Sequence, residues 1–176
     1  MSENLELLSL IAVPFYIILF HITGFVLIRD LWDMNPHEHP NWEIIYKTGL
    51  RGEQISYTLT GFAILALVFI ISIFIDNLAN AELVIVFFSL GFILEVFSAF
   101  LFHFFSKFGF QISGSIFQYG GLFAILLGFY TYLTSTMEWS MLIHVVYFSG
   151  VVGFIILSGK ELYVYINSGK KINKDE

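Results

Sequence analysis

Long apolar runs separated by shorter polar stretches dominate the pattern of this chain. Each run holds about 20 residues, the length that a helix needs to cross the apolar core of a bilayer. No Ser-, Pro- or Gly-rich linker divides the chain, so we expect one domain over residues 1–176, with a polar cytoplasmic tail at 167–176. The pattern predicts an all-α membrane protein, a bundle of five transmembrane helices. Its spans cover roughly residues 7–28, 56–75, 83–105, 112–134 and 139–163.

The third run carries small and polar residues on a single face. Gly91, Glu95, Ala99 and His103 follow one another at steps of four, and residues at this spacing share one side of a helix. The other side is rich in Phe and Leu. A charged carboxylate in hydrocarbon costs several kcal/mol unless it has a partner. We therefore expect this face to pack into protein, with Glu95 buried there and either protonated or hydrogen-bonded.

Small residues also mark packing faces on the fourth and fifth runs. Gly120, Ala124 and Gly128 recur at steps of four, and Gly150 and Gly153 lie close together in the fifth run. Small residues at such spacings allow the backbones of two membrane helices to approach closely. These positions predict contacts with another helix, either within this chain or in a partner subunit.

The longest polar stretch runs from Arg29 to about Gln54 and contains a short apolar segment. Asn41 can cap the start of a helix there, and Gly49 can end it. The segment between them is rich in Trp, Ile and Tyr, which favour the surface of a membrane. We expect one short interfacial helix from Asn41 to about Lys47 in this first cytoplasmic loop.

The composition agrees with a membrane protein. The chain is 57% hydrophobic and 12% charged, with a mean hydropathy of +0.81, whereas soluble domains hold about 25% charged residues. It contains no Cys, which excludes disulfides, thiolate metal sites and Cys nucleophiles. A net charge of −6 is less informative than the distribution of the charges along the chain.

The basic residues predict an orientation. If five spans are threaded through a bilayer, every Lys and Arg falls on one side, and the other side carries only acidic charges. Cytoplasmic loops of membrane proteins are enriched in Lys and Arg. We therefore expect a multi-pass protein of the cell membrane with its N-terminus outside and its C-terminus in the cytoplasm. The eight basic residues are Arg29, Lys47, Arg51, Lys107, Lys160, Lys170, Lys171 and Lys174.

Ionisable and amide side chains within the predicted spans are the candidates for chemistry. They are Glu95, His103, His21, His144 and Gln118. Glu95 can tie helices together through hydrogen bonds, or it can carry a proton. His21 and His103 fall in the same half of the bilayer, where two facing imidazoles can hold a b-type haem. These alternatives stay open, and the cofactor is unknown, with haem and a metal ion as the two candidates.

A second set of candidate ligands lies in the first loop. His37 and His39 are two residues apart, so in an extended segment both imidazoles point the same way, with Asp33 nearby. This arrangement predicts a metal site, and the alternative is a solvated polar loop.

Other classes of function lack the residues that they need. The sequence has no Gly-x-Ser-x-Gly elbow and no Gly-rich nucleotide loop, so we assign no catalytic residue. It also lacks a basic surface interleaved with aromatics, so we expect no nucleic-acid partner. We expect that the chain is not catalytic on its own.

These features favour an accessory or structural subunit of a larger multi-subunit integral membrane complex. A redox assembly of the respiratory or monooxygenase type is one candidate for that complex. The expected partners are the lipid bilayer and other membrane subunits. Two alternatives are a haem- or metal-binding redox protein that uses His21 and His103, and a small proton-coupled carrier that uses Glu95.

The orientation can be tested with single cysteines, since the chain has none of its own. We expect Asn77→Cys to react with an impermeant thiol reagent in intact cells, and Asn173→Cys to react only after the cells are opened. This result follows from placing every basic residue on the cytoplasmic side. The opposite labelling pattern would reverse the orientation.

Overall fold

The computed structural model describes residues 3–27, 29–35, 37, 42–74, 81–104, 107–136, 145, 147–153, 155–156, 159–160 and 163. Within these ranges the regular secondary structure is helical. The described residues between 145 and 163 are helical as well, and Tyr147 stacks on Tyr130 with ring centroids 4.2 Å apart. The helices with defined bounds are α1 (Glu3–Leu27), α2 (Arg29–Trp32), α3 (Trp42–Ile73), α4 (Glu82–His103) and α5 (Phe108–Thr136).

Three of these helices are long and apolar enough to cross a membrane. They are the Tyr46–Ile73 part of α3, the whole of α4, and the Phe108–Thr134 part of α5. A shorter apolar stretch, Ile11–Leu27, belongs to α1. A helical bundle associated with a membrane is therefore supported. About half of the fifth predicted span, 139–163, lies outside the described residues, so the count of five spans stays a prediction.

Helix α3 differs from the sequence-based expectation. It runs without a break from Trp42 through Gly49 to Ile73, so the prediction of a short helix that ends at Gly49 is wrong. Glycine within a helix costs about 1 kcal/mol relative to alanine, and buried contacts outweigh that cost. Gly49 is itself buried, and Gly52 lies against the ring of Phe102 from α4. The location of this first part of α3 at a membrane surface stays a prediction.

Helix α4 lies at the centre of the described bundle. It packs against α3 on one side and against α5 on the other, while α1 packs mainly against α5. Its buried side is a stripe that repeats every three or four residues, as expected for one face of a helix. The members of this stripe are Val84, Phe87, Phe88, Gly91, Leu94, Glu95, Ser98, Ala99 and Phe102.

Small residues bring α5 close to its neighbours. A Cβ atom at Gly120 would lie 3.0 Å from Ile17 of α1, and one at Gly128 would lie 3.0 Å from Phe88 of α4. Ala124, between these two glycines, is fully buried. The face formed by Gly120, Ala124 and Gly128 therefore lies against α1 and α4.

The other small residues differ in how closely they are packed. Gly91 of α4 is the tightest of them, since a Cβ atom there would lie 2.6 Å from Ile125 and 3.1 Å from the carbonyl oxygen of Gly121. At Gly150 and Gly153, a Cβ atom would meet no atom within 4 Å among the described residues.

At one end of the bundle, polar contacts join the start of α5 to the segment after α2. The backbone N–H of Phe108 donates to the carbonyl of Met34 at 3.0 Å, and Lys107 Nζ donates to Asp33 Oδ1 at 2.8 Å. These bonds place the start of α5 beside the segment that follows α2. We call this the basic end of the bundle, because the segments that form it carry Arg29, Lys47, Arg51 and Lys107. Which side of a membrane this end faces stays a prediction.

The close approach of α4 and α5 can be tested at Gly91. We expect Gly91→Ala to destabilise the protein by about 1–3 kcal/mol, because the new methyl group has no room beside Ile125 and Gly121. The matched control is Gly61→Ala on α3, where an added Cβ meets no described atom within 4 Å. Thermal unfolding in detergent measures both variants. Equal losses of stability would mean that α4 and α5 do not approach closely at this point.

Candidate functional site

Polar side chains from three helices meet inside the bundle. Ser56 of α3 donates its hydroxyl proton to Ser98 Oγ of α4 at 2.9 Å, and Ser98 Oγ donates to the carbonyl of Gly114 on α5 at 2.8 Å. Ser56 and Ser98 are fully buried. These bonds connect α3, α4 and α5 at one level, and each hydroxyl group has a partner on another helix.

Gln118 of α5 extends these contacts. Its Nε2 group donates to Ser56 Oγ at 3.1 Å and to the carbonyl of Gly52 on α3 at 2.9 Å. The donors therefore form an ordered series, from Gln118 to Ser56, from Ser56 to Ser98, and from Ser98 to Gly114. We call Ser56, Glu95, Ser98 and Gln118 the buried polar cluster.

Glu95 is the ionisable member of this cluster. Its side chain is fully buried, as the sequence predicts, and the Ser56 hydroxyl group is its polar neighbour. Neither carboxyl oxygen makes a hydrogen bond with any residue that the structure describes. The carboxyl group lies over Gly121 of α5, where a Cβ atom would come within 2.6 Å of Oε1. The absence of a side chain at Gly121 thus makes room for the carboxyl group.

The ring of Phe102 borders the cluster on the side of the basic end. A Cβ atom would lie 2.5 Å from this ring at Gly52 and 3.1 Å from it at Gly114. Those two glycines also supply the carbonyl groups that accept hydrogen bonds from Gln118 and Ser98. The ring therefore fills the space that two glycines leave open, directly beside the cluster.

Next to Phe102 in the chain, His103 forms a pair with Glu53 near the surface. His103 Nδ1 lies 3.0 Å from Glu53 Oε1, and the two side chains are 59% and 17% exposed. The pair joins α4 to α3 about one helical turn away from the Ser56–Ser98 contact. His103 also lines a cleft of about 200 Å³ between α3 and α4, together with Ala99, Tyr57 and several apolar residues.

The structure gives His21 different surroundings from His103. The Nδ1 atom of His21 lies 2.9 Å from the carbonyl oxygen of Ile17, and its ring meets the ring of Phe117 edge-on. His21 thus lies at the contact of α1 with α5, while His103 lies at the contact of α4 with α3. Haem binding between these two histidines stays a prediction.

The structure describes only some of the metal ligands that the sequence predicts in the first loop. Asp33 is paired with Lys107, and the backbone N–H of His37 donates to Asn35 Oδ1 at 3.1 Å. His39 lies outside the described residues, as does His144 in the fifth predicted span. Among the residues that the structure does describe, no group of three His, Asp or Glu side chains is arranged to hold a metal ion.

Two members of the cluster, Ser56 and Ser98, were missed in the sequence. Ser98 follows Glu95 by three residues, so helical spacing alone places it on the same face. Ser56 offers no comparable signal, because it lies among other polar residues at the start of an apolar run. Its partner is 42 residues away in the chain, and only the packing of α3 on α4 brings the two together.

No relative of this chain was found among known proteins. The chain matches no protein-family model, and neither a curated protein nor a solved structure is similar to it.

The contribution of the cluster to stability can be tested at Ser98. We expect Ser98→Ala to destabilise the protein by about 0.6–2 kcal/mol, the range for hydrogen bonds between membrane helices, because Ser56 and Gly114 both lose a partner. The control is Ser72→Ala on α3, since Ser72 is exposed and bonds only to Phe69 of its own helix. Thermal unfolding of both variants measures the difference. A loss at Ser72 as large as that at Ser98 would contradict an interhelical role.

Proposed function

We propose that this chain is an accessory or structural subunit of a larger multi-subunit integral membrane complex. It lies in the cell membrane as a multi-pass protein with five spans, its N-terminus outside and its C-terminus in the cytoplasm. A redox complex of the respiratory or monooxygenase type is the first class to test.

The observation that carries this proposal is the use of the polar side chains inside the bundle. The hydrogen bonds of Ser56, Ser98 and Gln118 connect one helix to another within the chain. Such bonds fix the positions of neighbouring helices. A bundle held in this way is suited to serve as a rigid membrane scaffold.

The outer surface of the bundle also supports the proposal. The exposed hydroxyl groups of Thr58 and Ser72 donate to carbonyls of their own helix, and Thr23 does the same on α1. Hydroxyl groups bonded in this way are compatible with an apolar environment. Large apolar side chains cover the rest of these faces, among them Leu65, which is 70% exposed, and Phe97, which is 55% exposed. Lipid or the helices of another subunit can pack against such a surface.

Purification in a mild detergent tests the proposal. We expect the chain to migrate with other integral membrane proteins in a fixed ratio, identified by mass spectrometry. A photoreactive residue placed at Leu65 or at Phe97 should crosslink to one of these proteins, because both positions face outward on different helices. The same residue at Leu94, which is buried inside the bundle, is the control and should crosslink only within the chain. Purification as a monomer or a homo-oligomer, with no crosslink to another protein, would refute the proposal.

A further inference from the structure

The burial of Glu95 favours a protonated carboxyl group. Its side chain is fully buried, and neither carboxyl oxygen has a hydrogen bond within normal geometry from a described residue. An ionised carboxylate here would have the single hydroxyl group of Ser56 as its polar neighbour among the described residues, which is unfavourable in an apolar interior. A protonated carboxyl group can instead donate to an oxygen lone pair of Ser56. A side chain that served only to hold the helices together would not need to be acidic at this position.

Titratable groups around Glu95 are few. On α3 the nearest acidic residue along the chain is Glu53, one turn from Ser56, and on α4 the nearest basic group is His103, about 12 Å along the helix axis. Helix α5 contains no acidic or basic residue, and the described apolar stretch of α1 contains only His21, which meets Phe117. The Glu53–His103 pair is therefore the acid–base group nearest to the cluster on the helices that hold it.

Phe102 lies beside the cluster, at the end of the cluster that is nearer to this pair along α3 and α4. Its ring contacts Gly52 and Gly114, the two residues whose carbonyls accept the outermost hydrogen bonds of the cluster. Both positions lack a side chain, and the ring fills the space that they leave at this end of the cluster. Movement of one aromatic ring would open a short path between the cluster and the surface.

We propose that Glu95 exchanges a proton with the Glu53–His103 pair through Ser56 and Ser98, and that the ring of Phe102 closes this route. In the transfer, the O–H bond of the Glu95 carboxyl group breaks and a new O–H bond forms on Ser56, which passes its own proton to Ser98. A water molecule admitted when the ring moves carries the proton from Ser98 to the imidazole of His103. Glu95 is left as a carboxylate and His103 as a cation, so the total charge does not change.

Infrared spectroscopy of the purified full-length chain tests the protonation of Glu95. A protonated carboxyl group has a carbonyl-stretch band that shifts when its proton is replaced by deuterium. We expect such a band in the unmodified protein and its loss in Glu95→Gln, which keeps the size of the side chain. If no band is lost in Glu95→Gln, Glu95 is ionised and the proposal is wrong.

The rate at which this band shifts in heavy water tests the route. We expect Phe102→Ala to speed the exchange by about tenfold or more, because removing the ring lowers the cost of opening the site. Phe97→Ala is the matched control, since Phe97 lies on the same helix but is 55% exposed, and its rate should equal that of the unmodified protein. Ser98→Ala should slow the exchange, because it interrupts the hydroxyl pair.

Two outcomes would overturn the route. One is an equal exchange rate for Phe102→Ala and the unmodified protein, and the other is an equal acceleration by Phe97→Ala, which would indicate general loosening of the bundle. If Phe102→Ala does not fold, Phe102→Leu is the substitute, with a smaller acceleration expected in the same direction. These rates are measured on the chain alone, so they do not depend on whether it is a subunit of a larger complex.

Discussion

The close contact between α4 and α5 at Gly91 and Gly121 is the constraint on which the interior of this protein depends. Without side chains at these positions, the two backbones approach until Gly91 meets the carbonyl of Gly121. The same approach leaves room for the carboxyl group of Glu95 above Gly121. It also brings Ser98 within 2.8 Å of the Gly114 carbonyl, about two helical turns away. Packing of small residues thus determines where the polar groups lie.

The hydrogen bonds of the cluster contribute more to the arrangement of the helices than to total stability. An interhelical hydrogen bond in a membrane protein contributes about 0.6 kcal/mol on average, because the separated helices also find partners. The bonds of Ser56 and Gln118 are nevertheless directional, and they permit one register of α3 against α4 and α5. Sliding α3 by one residue would leave buried hydroxyl and amide groups without partners, which an apolar interior penalises strongly. The cluster therefore fixes which residues of the three helices face one another.

A structural role and a proton-exchanging role require different residues of this interior. A scaffold needs Ser56, Ser98 and Gln118, whose hydrogen bonds are complete within the bundle. It does not require the acidity of Glu95, which is fully buried beside the Ser56 hydroxyl group. The pair of exposed His103 and half-buried Glu53 offers an exchange partner for such an acid. The two proposals therefore rest on different residues of one cluster.

The sequence by itself determined the class of the protein, the limits of α4 and α5 to within a few residues, and the buried positions of Gly91, Glu95 and Ala99. These features are local, since they follow from the thickness of a bilayer and the period of a helix. The prediction that His103 is buried on the same face is wrong, because α4 ends there and the side chain is 59% exposed. Only the tertiary structure decided that α3 continues through Gly49, that Phe102 lies between Gly52 and Gly114, and which groups surround Glu95. Those features depend on the register between helices, which brings together residues such as Gly52 and Gln118, 66 positions apart in the chain. No local pattern encodes that register, because it results from the fit of side chains across whole helix faces.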